Sequence, residues 1–196
     1  MTYEYWRRRL RARLLDLARK HDLATAEYCA LARLQPGNAH ILNILGYRHA
    51  QAREWRSAID CFDRAVSMAP DDAQAHFNLG FAYEQLGEYG QAAAQFEQAV
   101  ALRRTLDRAW YGLGMSYARL GRHEEAVGAL SEATALQPMN AIAWYALGMA
   151  HHVNAAPEKV EEVVRHLHRF DPVMTRRLIQ DSGRADLAHL VRDLRV

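Results

Sequence analysis

A repeat of 34 residues governs what this chain can become. Shifting the sequence against itself by that interval superimposes Leu45-Gly46, Leu79-Gly80, Leu113-Gly114 and Leu147-Gly148. Ala58, Ala92 and Ala126 recur in the same register, as do Phe62, Phe96 and Leu130, then Ala65, Ala99 and Ala133, and finally Pro36, Pro70, Pro138 and Pro172. Nothing interrupts the interval. Such a chain builds one supersecondary motif several times and stacks the copies, because no single motif can bury both of its faces.

Within a unit the apolar spacing is helical. Leu42, Leu45, Gly46 and His49, or Trp110, Leu113, Gly114 and Tyr117, share a face at i, i+3, i+4 and i+7. A second stripe follows, as in Ala92, Phe96 and Ala99. Breakers such as Leu86-Gly87-Glu88 and Leu120-Gly121-Arg122 separate the stripes, and Pro with polar neighbours (Ala69-Pro70-Asp71-Asp72) stops the second helix. Each unit is therefore predicted to be a helical hairpin. Gly46, Gly80, Gly114 and Gly148 are expected to face Ala58, Ala92 and Ala126 where the two helices come closest.

These residues resemble the tetratricopeptide repeat (TPR) pattern of bulky apolar residue, Leu-Gly, aromatic, then Ala, aromatic and Ala, then Pro. Units begin at Ala39, Ala73, Asp107 and Ala141, with a degenerate one near Tyr5. The resemblance spans residues 5–172 and implies an all-α, right-handed TPR superhelix, an α-solenoid of antiparallel helix pairs. The expected organisation is an array over 1–172, with repeats at 5–38, 39–72, 73–106, 107–140 and 141–172, followed by capping helices in 173–196. Three departures stand out. The first repeat has Arg8, Arg11 and Ala12 where Trp, Leu and Gly are usual; the third ends on Arg104 in place of Pro; the fifth has Val160 and Leu167 for two alanines.

Both ends are expected to cap the array. Trp6, Leu10, Leu14 and Leu17 form an apolar helix stripe at the N-terminus, and Val173–Asp181 and Arg184–Leu194 read as two C-terminal helices with a stripe of Leu187, Leu190, Val191 and Leu194.

The resemblance also implies a binding surface. In TPR arrays the first helix of every unit lines the concave wall, and slots 5 and 9 of the repeat point into it. Those slots hold Asn43 and Tyr47, Phe77 and Phe81, Tyr111 and Met115, and Tyr145 and Met149. Aromatic and Met side chains offer adaptable contact area at little polar desolvation, which suits an extended apolar peptide or an amphipathic helix. Asn78 and Arg108 are the two positions that agree with the dicarboxylate clamp of heat-shock co-chaperones. The remaining clamp positions do not agree, so an acidic chaperone tail is disfavoured as the ligand.

Charge adds a second feature. The 196 residues carry a formal net charge of +2, with 50% hydrophobic and 24% charged residues, an ordinary globular balance. Residues 1–20 hold +5, residues 21–164 hold −6 and residues 165–196 hold +3. Arg7, Arg8, Arg9, Arg11 and Arg13 make a basic patch beside Trp6. It suggests self-assembly against the acidic middle of another copy, or, more weakly, nucleic acid or an anionic surface.

Catalytic and metal chemistry find no candidates. Cys29 and Cys61 match no metal spacing, and none of the ten histidines forms an i, i+4 pair; His49 and His151 sit where other repeats have Tyr83 and Tyr117 and read as packing variants. The Gly-rich stretch Gly112-Leu113-Gly114 lies inside a helix with no preceding strand, so it is not a phosphate loop. The opening residues do not read as a signal peptide and no run is long enough to span a membrane, so a soluble cytoplasmic protein is expected. The expected function is a non-enzymatic adaptor or assembly chaperone, needing no cofactor or metal, that holds a hydrophobic peptide or helix of a partner protein.

Overall fold

The computed structural model describes residues 2–191, and these form eleven α-helices and one 3-10 segment with no strand. In chain order they are α1 (Tyr3–Leu17), α2 (His21–Leu34), α3 (Ala39–Gln51), α4 (Trp55–Met68), α5 (Ala73–Gln85), α6 (Tyr89–Leu102), α7 (Asp107–Arg119), α8 (His123–Leu136), α9 (Ala141–Val153), α10 (Pro157–His168) and α11 (Pro172–Asp181), then the 3-10 segment Ala185–Val191. The chain divides into two compact units, Met1–Leu102 with α1 to α6 and Arg103–Val196 with the rest. All-α hairpins of the expected class fill both units.

One turn recurs in every hairpin. The backbone N–H of Lys20, Glu54, Glu88, Arg122 and Ala156 bonds back to the carbonyl of Leu15, His49, Tyr83, Tyr117 and His151, at 2.9 to 3.0 Å. This closure requires a left-handed residue just before the donor. Gly87 and Gly121 take it with φ of 77° and 76°, while Arg19, Arg53 and Ala155 take it with φ of 56°, 59° and 52° despite carrying a Cβ. Those three are strained at a cost of roughly 1 kcal/mol each, which the packed helices on either side override.

In the first unit, helix starts are set by side-chain caps: Asn38 accepts from the Ile41 amide at 3.2 Å, and Asp72 accepts from those of Gln74 and Ala75 at 2.9 and 3.3 Å. Ala58, Phe62, Leu79 and Ala82 form one buried cluster, and Tyr5, Ala12, Ala24, Tyr28, Leu31, Ile41, Leu45 and Cys61 another. The glycines do not chiefly face the alanines as expected. A Cβ on Gly46 would lie 2.6 Å from the Phe62 ring, and one on Gly80 would lie 2.9 Å from Phe96 and 3.2 Å from the Ala92 carbonyl oxygen. The small residue makes room for the bulky one four places beyond the alanine, and overfilling it costs about 1–3 kcal/mol.

The second unit repeats this logic with a different ending. A Cβ on Gly114 would lie 2.6 Å from Leu130, but one on Gly148 would lie 2.6 Å from Leu178 of α11, so the terminal helix supplies the bulky partner that the fifth repeat lacks. Leu178 is completely buried, beside Val160, Val164 and Leu167. Thus Val160 and Leu167, the two departures from alanine, join Leu178 in one buried cluster. Beyond Asp181 the chain runs as a 3-10 segment rather than a second α-helix; Leu187 is buried there, and Leu194 lies outside the described residues.

A lock between loop and helix accounts for the aromatic residue four places into the unit. Trp110 donates its indole N–H to the Arg104 carbonyl, and Trp144 donates to that of Pro138, both at 2.8 Å. Since Arg104 still offers the carbonyl, loss of Pro there leaves the lock intact. Leu106, however, stands where Asn38, Asp72 and Asn140 cap their helices, and it contributes no side-chain cap.

The N-terminal helix departs from expectation. α1 rests on α2 through Tyr5, Ala12 and Leu15, while the stripe read as its packing face is turned out: Trp6 is 53%, Leu10 61%, Leu14 56% and Leu17 83% exposed. Arg8 and Arg11 explain the rotation. Both reach the nearly buried Glu27 of α2, at 3.2 and 3.3 Å, and Arg8 also pairs with Glu4 at 3.0 Å. Removing those cations from the nearly buried Glu27 would cost about 3–5 kcal/mol, and the same face also packs Tyr5, Ala12 and Leu15, so ion pairs and packing together favour it.

Candidate peptide-binding surfaces

Four of the five predicted residues in the first unit, Tyr47, Phe77, Asn78 and Phe81, lie as a candidate wall on α3 and α5, two helices that touch directly. Tyr47 is 58% exposed and Phe81 39%. The Phe81 ring is held edge-on by Trp55 at the start of α4, centroids 5.9 Å apart. Phe77 is half-buried, its ring 5.9 Å from Phe96 and tilted 46° to it, so part of its area serves packing. Asn78 accepts from the Gln74 side chain at 2.9 Å. Asn43, the fifth, has its Oδ1 buried without a hydrogen-bond partner among the described residues. An acceptor left in this state costs about 1–3 kcal/mol.

Beside this wall, Tyr5, Arg9, Arg13, Tyr28, His40 and Ile44 line a cavity of about 320 Å³ between α1, α2 and α3. It lies on a site the repeat arithmetic did not reveal, because the first repeat is degenerate. Arg48 crosses to it from α3, pairing with Asp16 and lying 5.0 Å over the Tyr28 ring. Burial first, and then the hydrogen bond it donates to Asp16 at 3.1 Å, push the Tyr28 hydroxyl above the ordinary tyrosine value.

In the second unit the predicted positions are more engaged. Tyr111, Tyr145 and Met149 are half-buried against the Leu130, Leu147 and Leu178 cluster, and Met115 is half-buried as well. Arg108 is exposed and makes an interaction of its own. Tyr145 is tied down by α11: its hydroxyl donates to Asp181 at 2.5 Å, and Arg177 lies 5.2 Å over its ring. Hydrogen bonding to Asp181, followed by burial, raises the Tyr145 hydroxyl above its usual value. Neither Asp181 nor Arg177 carries a repeat signature, so their part in holding Tyr145 is not readable from the repeat pattern.

The basic patch splits into two sets. Arg8 and Arg11 hold α1 to α2, whereas Arg7, Arg9 and Arg13 form no ion pair among the described residues, Arg9 lying 5.4 Å over the Trp6 ring. His49 Nδ1 donates to the Glu54 carboxylate at 2.6 Å, and burial lowers the His151 imidazole below its normal value. Among the described residues no group of three His, Cys, Asp or Glu side chains comes together in a way that would hold a metal ion.

Comparison with known proteins agrees with this architecture. Tetratricopeptide repeat models match residues 45–109, and 82–138 with 111–159. No curated protein sequence matches significantly. Among solved structures, a MamA protein superimposes with a TM-score of 0.77 at 19% identity, covering 100% of this chain and 99% of that one. YrrB, described as a TPR protein with an unusual peptide-binding site, gives 0.77 at 22% identity over 88% of each chain. The first TPR of Spaghetti (RPAP3), bound to the HSP90 peptide SRMEEVD, gives 0.58 at 26% identity, covering 60% of this chain and 93% of its own. With family models spanning more than half of its length and the hairpins laid out as described, this chain belongs to the tetratricopeptide repeat superfamily.

Proposed function

We propose that this TPR protein is a non-catalytic interaction module, an adaptor or assembly chaperone, that takes an apolar peptide or helix of a partner protein on the α3–α5 wall of its first unit. The observation that carries this reading is the exposure of Tyr47 and Phe81 on the first helices of adjacent hairpins, with Trp55 bracing Phe81 from the side. A half-exposed aromatic on a rigid helix brings large contact area at low entropic cost, the usual make-up of a binding hot spot. That YrrB, which shares the fold, is described as having a peptide-binding site supports a peptide as the ligand, while the acidic SRMEEVD peptide on RPAP3 is a different chemical class from the apolar one proposed here.

Tyr47→Glu with Phe81→Glu is the discriminating variant, because both side chains are exposed and the core is untouched. Peptides selected from a random library on the wild-type protein should be rich in apolar residues and should lose about tenfold or more in affinity for the variant. Helical circular dichroism and melting temperature should stay the same. Equal binding to both proteins would refute the assignment. Tyr111 is a poorer target for this test, since it packs against the second unit's core.

A further inference from the structure

We infer that α1 is an interfacial helix, built to lie on an anionic lipid surface with its outer face in the headgroup region. Around the helix axis Tyr3, Trp6, Leu10, Leu14 and Leu17 fall within a sector of about 80°. All five are exposed, Tyr3 and Leu17 each to 83%. Arg13 flanks this sector on one side and Arg7 on the other, each about 20° beyond its edge, and Arg9 and Arg11 lie about 40° further round. Arg7, Arg9 and Arg13 make no ion pair among the described residues. The opposite face, with Tyr5, Ala12 and Leu15, is docked on α2.

An apolar strip ending in aromatic residues and railed by arginines is the arrangement that suits a bilayer interface. Leucines enter the acyl boundary, Trp and Tyr settle at headgroup level, and the guanidinium groups reach lipid phosphates while their stems stay on the apolar side. Two observations favour lipid over a second copy of this face. Pairing two strips in an isologous dimer would bring arginine rails together, and Tyr3–Leu17 holds five arginines against only Glu4 and Asp16. The strip is also convex helix surface, with its polar anchors already spent on Glu27 from behind. Among the described residues no helix is long and apolar enough to cross a membrane, so α1 would lie along the surface.

The test is co-flotation of the full chain with vesicles, either of phosphatidylcholine alone or of equal parts phosphatidylcholine and phosphatidylglycerol. The expected result is flotation with the anionic vesicles, little with the neutral ones, and weakening with added salt. Arg7→Glu with Arg13→Glu should lower the partition coefficient by about tenfold or more. Leu10→Glu with Leu14→Glu should abolish flotation, and Leu10→Ser alone should weaken it, with helical content retained in all three. Brominated phosphatidylcholine in the anionic vesicles should quench the wild type more than Trp6→Phe. No flotation with anionic vesicles would overturn the inference. So would undiminished flotation of the double glutamate variant at Leu10 and Leu14, which would mean that charge alone adsorbs the protein. A wild-type oligomer that this variant dissociates in light scattering would assign the strip to a second copy instead.

Discussion

The two ends of the molecule use the same kind of helix for opposite purposes. In the second unit α11 turns Leu178 and Ile179 inward, fills the space left by Gly148 and fastens Tyr145 through Asp181. In the first unit α1 turns four large apolar side chains outward and grips its neighbour through Glu27. A stripe of leucines at helical spacing is therefore not enough to say which face is buried. What decides it is whether the neighbouring hairpin offers an apolar hole or a buried carboxylate. The inner walls follow the same division, with Tyr47 and Phe81 left open in one unit and Tyr145 and Met149 packed by the terminal helix in the other.

Truncating a leucine at each end tests this contrast most severely. Leu178→Ala should cost about 2–5 kcal/mol in chemical denaturation, since it empties a fully buried site, whereas Leu10→Ala should stay within about 0.5 kcal/mol. Comparable losses would mean that α1 buries its strip in solution.

The hairpin turns sharpen the comparison by removing it. Arg53→Gly in the first unit and Ala155→Gly in the second relieve the same left-handed strain, and each should stabilise by about 1 kcal/mol. A gain in only one unit, read from urea midpoints, would show that the turns are not equivalent.

The smallest effect concerns Tyr145. Its proton is held by Asp181, so the folded value lies above that of the unfolded chain and folding loses stability as pH rises past the ordinary tyrosine range. Asp181→Asn should shift the Tyr145 absorbance titration downward. An unchanged titration would mean that α11 does not grip the inner wall.

The hairpins, their turns and most of the core were legible beforehand because each rests on local or strictly periodic information. Gly87, Gly121, the Leu-Gly pairs and Phe62, Phe96 and Leu130 recur at an interval that alignment of the chain with itself exposes. Arg19, Arg53 and Ala155 were not legible as left-handed residues, since nothing in their chemistry favours that conformation and only the surrounding turn imposes it. In the candidate site Tyr47 and Phe81 could be named from their slots. Trp55, Asp181 and Arg177 could not, because they reach their partners from other helices.

The amino-acid order alone thus determined an array of stacked helical hairpins, since a 34-residue period of small and bulky apolar residues admits little else. Tertiary structure alone decided which faces stayed open. Burial of a helix face is a competition among neighbours, and the winners here, Glu27 against the leucines of α1 and Leu178 over Gly148, act between segments that no repeat interval relates.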